Sequence, residues 1–413
     1  MKRFIEGADR TQVTLLPECL DDYIAEDNPV RVVDAYVEEL DLQELGFKGA
    51  EPAATGRIVL CRDLKLFSEA LVAIDGSKFK AVNSRDRNYT PGKIDKRQQQ
   101  IEESIQRYLD ALETADRTQP PDLEAKSERL KDKIDRLRRQ MRQLDRTREQ
   151  LQTQPDGQLS LTDPDARSMT SHGKATGVVG YNVQAAVDAK HHLIVAHEVT
   201  NLGSDRAQLS PMAQAAREAM GKSTLKAVAD RGYCNAPQIK AGHDAGIATI
   251  LPKPTTSNAK AEGRFDKADF VYIARDDEYQ CPAGQRAIYR FSREENGLLL
   301  RRYWSSACPQ CTMKAQCTPS DYRRISRWEH EAVLEVVQRR LDKQPYAMSL
   351  RRRTVEHVFG TLKHWMGSTH FLTRTLANVS TEMSLHVLAY NLKRVMSILG
   401  IRKTVKAISL AGA

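Results

Sequence analysis

Between residues 70 and 252, short apolar runs alternate with amphipathic stretches in an order that predicts a mixed α/β sheet. SEALVAIDGSKFKAV predicts a first strand near 70–75, then a turn and a second strand. GVVGYNVQAAVDAKHHLIVAHEVT predicts two strands around a turn at Asp188. An amphipathic helix, a strand that ends at Asp230, a helix near 235–244 and the strand IATILPKP follow. This β-β-β-α-β-α-β order indicates a mixed sheet flanked by helices, not a pure βαβα series.

Two segments of different composition interrupt this pattern. Residues 98–153 are rich in Gln, Glu, Lys, Arg and Leu, with apolar residues at helical and heptad spacing on both sides of Pro120-Pro121. They predict an antiparallel helical hairpin or a dimerising coiled coil, and a charged spacer helix without a specific partner fits equally well. Residues 257–325 combine a polar loop, apolar strand-like runs and a cysteine cluster, and they predict a β-rich insertion.

The domain organisation follows from these boundaries. A chain of 413 residues can hold two or three domains. We expect a short helical region at 1–57, a main α/β domain at 58–400 that carries both insertions, and a tail at 401–413.

The charge and the apolar content limit the classes of partner. Lys and Arg number 63 against 54 Asp and Glu, which gives a net charge of +9. This balance favours a polyanionic partner, because neutralising phosphates releases counterions. No apolar run of about 18 residues is present, and the first residues lack the apolar core of a secretory signal. We therefore expect a cytoplasmic protein.

Two aspartates each follow an apolar run that predicts a strand. Asp75 ends LVAID, and Asp230 ends LKAVAD. Side chains at the ends of strands in open α/β sheets collect around ligands, and carboxylates are preferred ligands of Mg²⁺. Taken singly, each aspartate is explained as well by a turn, because Asp-Gly is a common turn dipeptide and Asp230 precedes Arg231-Gly232. Together with a third acid they would form a site for two metal ions.

The third acid lies in LRRRTVEHVFGTLKHWMG, residues 350–367. On a helix, Arg352, Glu356, Gly360 and Lys363 share one face, beside an apolar stripe that would dock on the sheet. Glycine costs a helix about 1 kcal/mol relative to alanine, which suggests close approach of another group at Gly360. The plainer explanation of Glu356 is a surface pair with Arg352.

These three segments resemble the DDE transposases of bacterial insertion sequences, whose catalytic domain is ribonuclease-H-like. The segments are VAIDGSKFKA, KAVADRGYCN and RRRTVEHVFGTLKHWMG. The last is similar to the family signature Tyr-x2-Arg-x3-Glu-x6-Lys, with Arg352, Glu356 and Lys363 at the matching positions. The tyrosine of the signature falls on Ser349, and Tyr346 lies one turn earlier.

The resemblance implies a catalytic triad of Asp75, Asp230 and Glu356 that binds Mg²⁺ or Mn²⁺. It further implies that Arg352 and Lys363 contact DNA ends. The neighbouring Arg351 and Arg353 are expected to help position phosphates. The implied activity is cleavage at the ends of an insertion sequence and strand transfer to target DNA, by a homodimer associated with the nucleoid.

One feature departs from the family pattern. Relatives have a longer N-terminal helical region, whereas EPAATGR runs directly into IVLCRDLKLF at residues 57–58, which suggests an internal deletion. Two alternatives to an active transposase therefore stay open, a non-catalytic DNA-binding relic and a metal-dependent nuclease unconnected with transposition.

A cysteine cluster marks the second insertion. Cys308, Cys311 and Cys317 have the spacing C-x2-C-x5-C, and Cys281 lies upstream. Four thiolates with one CxxC pair could form a structural Zn²⁺ site. A redox pair or simple packing of free cysteines explains the same spacing.

Overall fold

The computed structural model describes residues 24–38, 61–62, 64, 66–67, 70–83, 87–118, 123–154, 156–169, 177–254 and 258–412. Their strands are β1 (Leu71–Lys80), β2 (Asn88–Tyr89), β3 (Leu159–Ser160), β4 (Arg167–Met169), β5 (Val178–Asp188), β6 (Ile194–Thr200), β7 (Leu225–Val228), β8 (Ile247–Ile250), β9 (Val271–Ile273), β10 (Glu278–Gln280), β11 (Arg286–Glu295), β12 (Leu298–Trp304) and β13 (Ile325–Trp328). Their helices are α1 (Val30–Glu38), α2 (Pro91–Thr118), α3 (Leu123–Gln152), α4 (Leu209–Ala219), α5 (Ala236–Asp244), α6 (Glu331–Asp342), α7 (Ala347–Gly360), α8 (Leu376–Leu399) and α9 (Ile401–Gly412).

A six-stranded mixed sheet forms the centre of the molecule. Its order is β4-β5-β1-β7-β8, and β6 also pairs with β5. β1 is antiparallel to β5 and parallel to β7, and β7 is parallel to β8. The predicted ribonuclease-H-like mixed sheet is therefore confirmed, and its order places β1 in the centre with β7 beside it.

The first strand differs from the sequence prediction. β1 is one continuous strand of 10 residues, so the predicted turn at Asp75-Gly76 is wrong, and Asp75 lies in the middle of the strand. Asp75 pairs with Ala185, and Gly76 pairs with Gln184, in a ladder that runs from Val72 to Lys80. The Asp-Gly dipeptide favours a turn only locally, and the ladder to β5 overrides that preference.

Helices cover both faces of the central sheet. Alternate residues of β1 point to opposite faces. Val72 and Ile74 pack in one core with α4 and α5, whereas Ala73 and Phe79 pack in a second core with α7 and α8. Apolar side chains therefore cover both faces of the sheet around β1.

Both predicted insertions are present. α2 and α3 pack against each other through Ile94, Ile101, Leu144 and Leu151, so the heptad residues meet within one chain as a helical hairpin. The second insertion is a separate five-stranded sheet in the order β13-β12-β11-β10-β9. Its small core is aromatic, with Phe270, Tyr279 and Tyr303.

The N-terminal region is described only in part. α1 packs against α9 through Val32 and Ile408. The predicted deletion junction at 57–58 lies outside the described residues, and the domain boundaries at 57, 58 and 400 stay predictions. In the described part of the chain, no helix is both long enough and apolar enough to cross a membrane.

Candidate active site

Asp75 and Asp230 lie close together on one face of the central sheet. β1 and β7 are neighbouring parallel strands, in which Ala73 pairs with Val228. Asp75 and Asp230 each follow this pair by two residues, so they reach the same level on the same face. The face is the one covered by α7, because Ala73 packs with that helix.

Arg351 of α7 joins the two aspartates. Its Nη2 lies 2.7 Å from Asp75 Oδ1 and 3.6 Å from Asp230 Oδ2. Each carboxylate also accepts a backbone hydrogen bond: the N–H of Gly76 donates to Asp75, and the N–H of Gly232 donates to Asp230. Arg351 was predicted to position DNA phosphates, and nothing in the sequence pattern pointed to this contact inside the chain.

Glu356 does not join this group. Its side chain is 65% exposed, and its ion-pair partner is Arg352, at 3.8 Å. Five residues separate Arg351 from Glu356, which on a helix corresponds to a rotation of about 140° and a rise of about 7.5 Å. The structure therefore brings two of the three predicted acids together, and the role of Glu356 stays a prediction.

The predicted DNA-contacting residues divide into two kinds. Arg352 and Arg353 are exposed, with the side chain of Arg352 71% accessible. Lys363 is half-buried: its Nζ donates to Ser77 Oγ at 2.6 Å and to the carbonyl of Lys78 at 2.9 Å. Burial lowers the pKa of Lys363. Lys363 thus anchors the π-helical turn after α7 (Thr361–Trp365) on β1, a contact that the sequence pattern did not predict.

The environment of Asp75 opposes its charge. Burial raises the pKa of Asp75 to about 6, the positive charge of Arg351 works in the opposite direction, and the nearby Asp230 adds to the increase. Desolvation dominates because the carboxyl lies between the sheet and α7, with 19% of its side chain exposed.

A pH dependence of stability follows from this shift. The ordinary pKa of 3.8 applies to the unfolded chain, so between pH 4 and 6 the folded chain binds more protons at Asp75. The contribution of Asp75 to the free energy of unfolding therefore falls as pH rises through this window. In thermal melts of metal-free protein, the free energy of unfolding of the wild type relative to Asp75→Asn should increase by about 1–3 kcal/mol when the pH is lowered from 7 to 4.5. A difference that is constant with pH would contradict the burial of this charge.

A buried polar network lies behind Asp75, on the opposite face of β1. Asp205 accepts hydrogen bonds of 2.7 Å from both Asn182 and Gln184 of β5, and Tyr233 donates to Gln184. Burial, reinforced by negative charge from Asp205, Asp75 and Asp230, raises the pKa of Tyr233, which therefore stays protonated as a donor. The sequence analysis missed this network.

Gly76 makes room for that network. A Cβ at this position would lie 2.6 Å from Asp205 Oδ1 and 3.0 Å from Asn182 Oδ1, and closer still to Gln184 Nε2. The glycine after Asp75 thus serves packing within a strand, and not a turn.

The other residues in or beside α7 for which the sequence suggested a role are Gly360, Ser349 and Tyr346. A Cβ on Gly360 would meet no atom within 4 Å, so no part of the described chain approaches it closely. Ser349 and Tyr346 are both exposed near the start of the helix, with Tyr346 80% accessible. The roles of these three residues in binding DNA stay predictions.

The four clustered cysteines line a single cavity of about 30 Å³ in the β-rich insertion. Cys281 lies at the turn between β10 and β11, and the other three lie in the loop after β12. Within the described residues, however, no group of three or more His, Cys, Asp or Glu side chains is arranged to hold a metal ion.

The fit of the aspartate pair to a divalent cation can be judged from its donor atoms. Asp75 and Asp230 supply oxygen ligands of the kind that Mg²⁺ and Mn²⁺ prefer, and they already hold the positive charge of Arg351 between them. These two residues therefore fit a cation, whereas Glu356 would have to change position to contribute.

The match to a family model agrees with the fold. Residues 146–392, more than half of the chain, match the model of the family described as "Transposase DDE domain". This range contains Asp230 and Glu356 but not Asp75. A cryo-EM structure of a piggyBac transposase synaptic complex with hairpin DNA is similar, with 9% sequence identity and a TM-score of 0.27. The similarity covers 60% of this chain and 48% of that one, so the chain spans about half of its length. The search of curated proteins returned no match.

Proposed function

The chain belongs to the transposase DDE domain family, and from this premise we propose that it catalyses metal-dependent cleavage of DNA and strand transfer at the ends of an insertion sequence. The observation that carries the proposal is the meeting of Asp75, in β1, with Asp230, two residues after the end of the neighbouring strand β7. Two carboxylates at the same level form the beginning of a cation site, and a carboxyl whose pKa is raised by burial, as at Asp75, is typical of functional sites.

The proposed roles of the acids follow from their positions. Asp75 and Asp230 would hold Mg²⁺ or Mn²⁺, and Glu356 would complete the site after a movement of its side chain or of α7. When bound, the cation supplies stabilisation of the charge that develops on a transferring phosphoryl group. The chain itself holds the two aspartates in register through β1 and β7, and it supports Asp75 from behind with the Asp205 network.

The proposed DNA interface is the exposed side of α7. Arg352 and Arg353 are accessible, and guanidinium groups bind phosphate through paired hydrogen bonds. Such contacts position the backbone without reading sequence. We infer a homodimer on DNA, since transposition must bring two ends together, and accordingly a place beside the nucleoid.

A second candidate function has its own observation. Glu356 is exposed and paired with Arg352, and Arg351 stands between the two aspartates, an arrangement expected of a DNA-binding relic that does not cleave. The predicted deletion at 57–58 would point the same way. A nuclease unconnected with transposition requires only the aspartate pair.

One assay separates these candidates. The purified protein is incubated with labelled duplexes that carry the inverted repeats flanking its reading frame, with Mg²⁺ or Mn²⁺, beside scrambled duplexes. Nicking at the repeat followed by joining to a second DNA supports a transposase. Nicking of both duplexes without joining indicates a nuclease, and retention of DNA without nicking indicates a relic.

We further propose that Cys281, Cys308, Cys311 and Cys317 take up a structural Zn²⁺, for which their side chains would have to draw together, because in the described residues they are not arranged around a metal ion. All four line one cavity, whose volume of about 30 Å³ is enough for a water-sized occupant. Thiolates are the ligands that Zn²⁺ prefers in closed structural sites.

The zinc content of the purified protein tests this site. We expect about one zinc per chain in the wild type. Cys311→Ser should lower the zinc content and the melting temperature together, because the ion would hold the insertion's loops to its sheet. Cys234→Ser, which lies outside the cluster, should keep its zinc. A wild-type protein purified without zinc would exclude the site.

A further inference from the structure

Arg351 occupies the place between the two aspartates that a cation would take. Its Nη2 makes the contacts to both aspartates, and only 14% of its side chain is exposed. Its Nε is buried and has no hydrogen-bond partner. An arginine usually binds a carboxylate through two parallel N–H donors. Because the buried Nε–H of Arg351 has no acceptor, its guanidinium is bound less tightly than in such a bidentate pair.

The ion pairs of the described residues set Arg351 apart from its neighbours. Arg352 pairs with Glu356, and Arg353 is exposed, so in the described part of the chain Arg351 alone is ion-paired with Asp75 and Asp230. The three arginines are consecutive, and they lead from the aspartate pair to the exposed side of α7 within one turn of helix.

We propose that Arg351 is an internal counter-ion that keeps Asp75 and Asp230 closed to divalent metal until a DNA phosphate draws it away. The inference rests on the proposed function, because it requires the two aspartates to be metal ligands. A guanidinium and a divalent cation cannot both lie between the same two carboxylates, since like charges at that separation repel strongly. A phosphate beside Arg352 and Arg353 offers Arg351 a bidentate partner and can satisfy its Nε.

This arrangement couples DNA binding to metal binding. Whatever draws Arg351 away raises the affinity of the aspartates for metal, and by linkage the metal raises the affinity for DNA by the same factor. Coupling of this kind would restrict phosphoryl transfer to the DNA-bound protein.

The test measures Mn²⁺ binding to the full chain by electron paramagnetic resonance, with and without a short duplex. In the wild type, the duplex should tighten Mn²⁺ binding by about 5- to 150-fold. Arg351→Gln should bind Mn²⁺ more tightly than the wild type without DNA, and the duplex should add little. Arg129→Gln, at an exposed arginine of α3 outside the proposed DNA and metal sites, is the matched control and should keep the wild-type coupling. Arg351→Lys retains the charge, and its Mn²⁺ affinity without DNA should lie between those of the wild type and Arg351→Gln.

Stability gives a readout independent of metal. In EDTA, Arg351→Gln should melt below the wild type, because two carboxylates lose their counter-ion, and Mn²⁺ should restore more stability to it than to the wild type. Unchanged or weaker Mn²⁺ binding in a folded Arg351→Gln protein would overturn the counter-ion role. If that variant does not fold, the counter-ion role is overturned when the Mn²⁺ affinity of the wild type is the same with and without DNA. Mn²⁺ binding that is insensitive to Asp75→Asn and Asp230→Asn would instead reject the metal site on which the proposed function depends.

Discussion

Replacing Glu356 with glutamine is expected to reduce DNA cleavage by about 10²- to 10³-fold or more while leaving the fold intact. The carboxylate would be lost as a cation ligand, but the side chain is 65% exposed and its one ion pair, with Arg352, is a surface pair. Surface substitutions of this kind change stability by no more than about 0.5 kcal/mol. Cleavage rates and melting temperatures measured on the same preparations separate the two effects.

Glu102→Gln is a suitable control. Glu102 is an exposed glutamate of the α2–α3 hairpin, on a helix outside the candidate site, and its replacement should change neither cleavage nor melting. Full cleavage by Glu356→Gln would remove Glu356 from the active site and leave the aspartate pair to act without it. A selective loss would mean that α7 or the Glu356 side chain moves toward Asp75 and Asp230 when DNA and metal bind, because the structure holds them apart.

Replacing Gly76 with alanine is expected to lower the free energy of unfolding by about 1–3 kcal/mol and to reduce cleavage at least tenfold. The added methyl group would overlap atoms of Gln184 and Asp205. Gln184 is fully buried and hydrogen-bonded to both Asp205 and Tyr233, so it has no open space to move into. The strand would shift instead, and Asp75, the preceding residue, would shift with it.

Gly360→Ala is the matched control for this substitution. Gly360 is helical, and its Cβ would meet nothing within 4 Å. The alanine should therefore stabilise the chain by up to about 1 kcal/mol, through helix propensity alone. Equal melting temperatures for Gly76→Ala and the wild type would contradict the tight packing behind Asp75. Weakened DNA binding by a stabilised Gly360→Ala protein would indicate that DNA approaches α7 at this residue.

The local periodicities that sequence reasoning uses predicted most of the fold. The heptads predicted helices but left a hairpin, a dimerising coiled coil and a charged spacer helix open, and only the shared buried core of Ile101 and Leu144 within one chain shows the hairpin. The strands β5 and β6 and the helices α4 and α5 were evident from their apolar patterns. β1 was the exception, because an Asp-Gly dipeptide has the same local preference for a turn wherever it occurs. Only pairing with β5, which lies more than one hundred residues away along the chain, keeps it extended.

The candidate site was predicted less completely than the fold. The residue types at Asp75, Asp230 and Glu356 and their resemblance to a family identified the acids, but the contacts of Arg351 and Lys363 were not visible. One turn of helix contains three consecutive arginines, and periodicity assigns each a direction relative to its neighbours, not to the sheet. The packing of α7 on β1 decides that Arg351 faces Asp75 and that Lys363 faces Ser77.

The sequence by itself determined the order of strands and helices, both insertions and the family, because these depend on patterns within short stretches of chain. Only the tertiary structure decided that Asp75 lies in mid-strand, that Gly76 is demanded by the Asp205 network, and that Arg351 lies between the aspartates. Each of these depends on groups that are distant in sequence and meet at one level of the sheet. Burial, hydrogen bonding and charge act between such groups through space, so their effects appear only once the chain has folded.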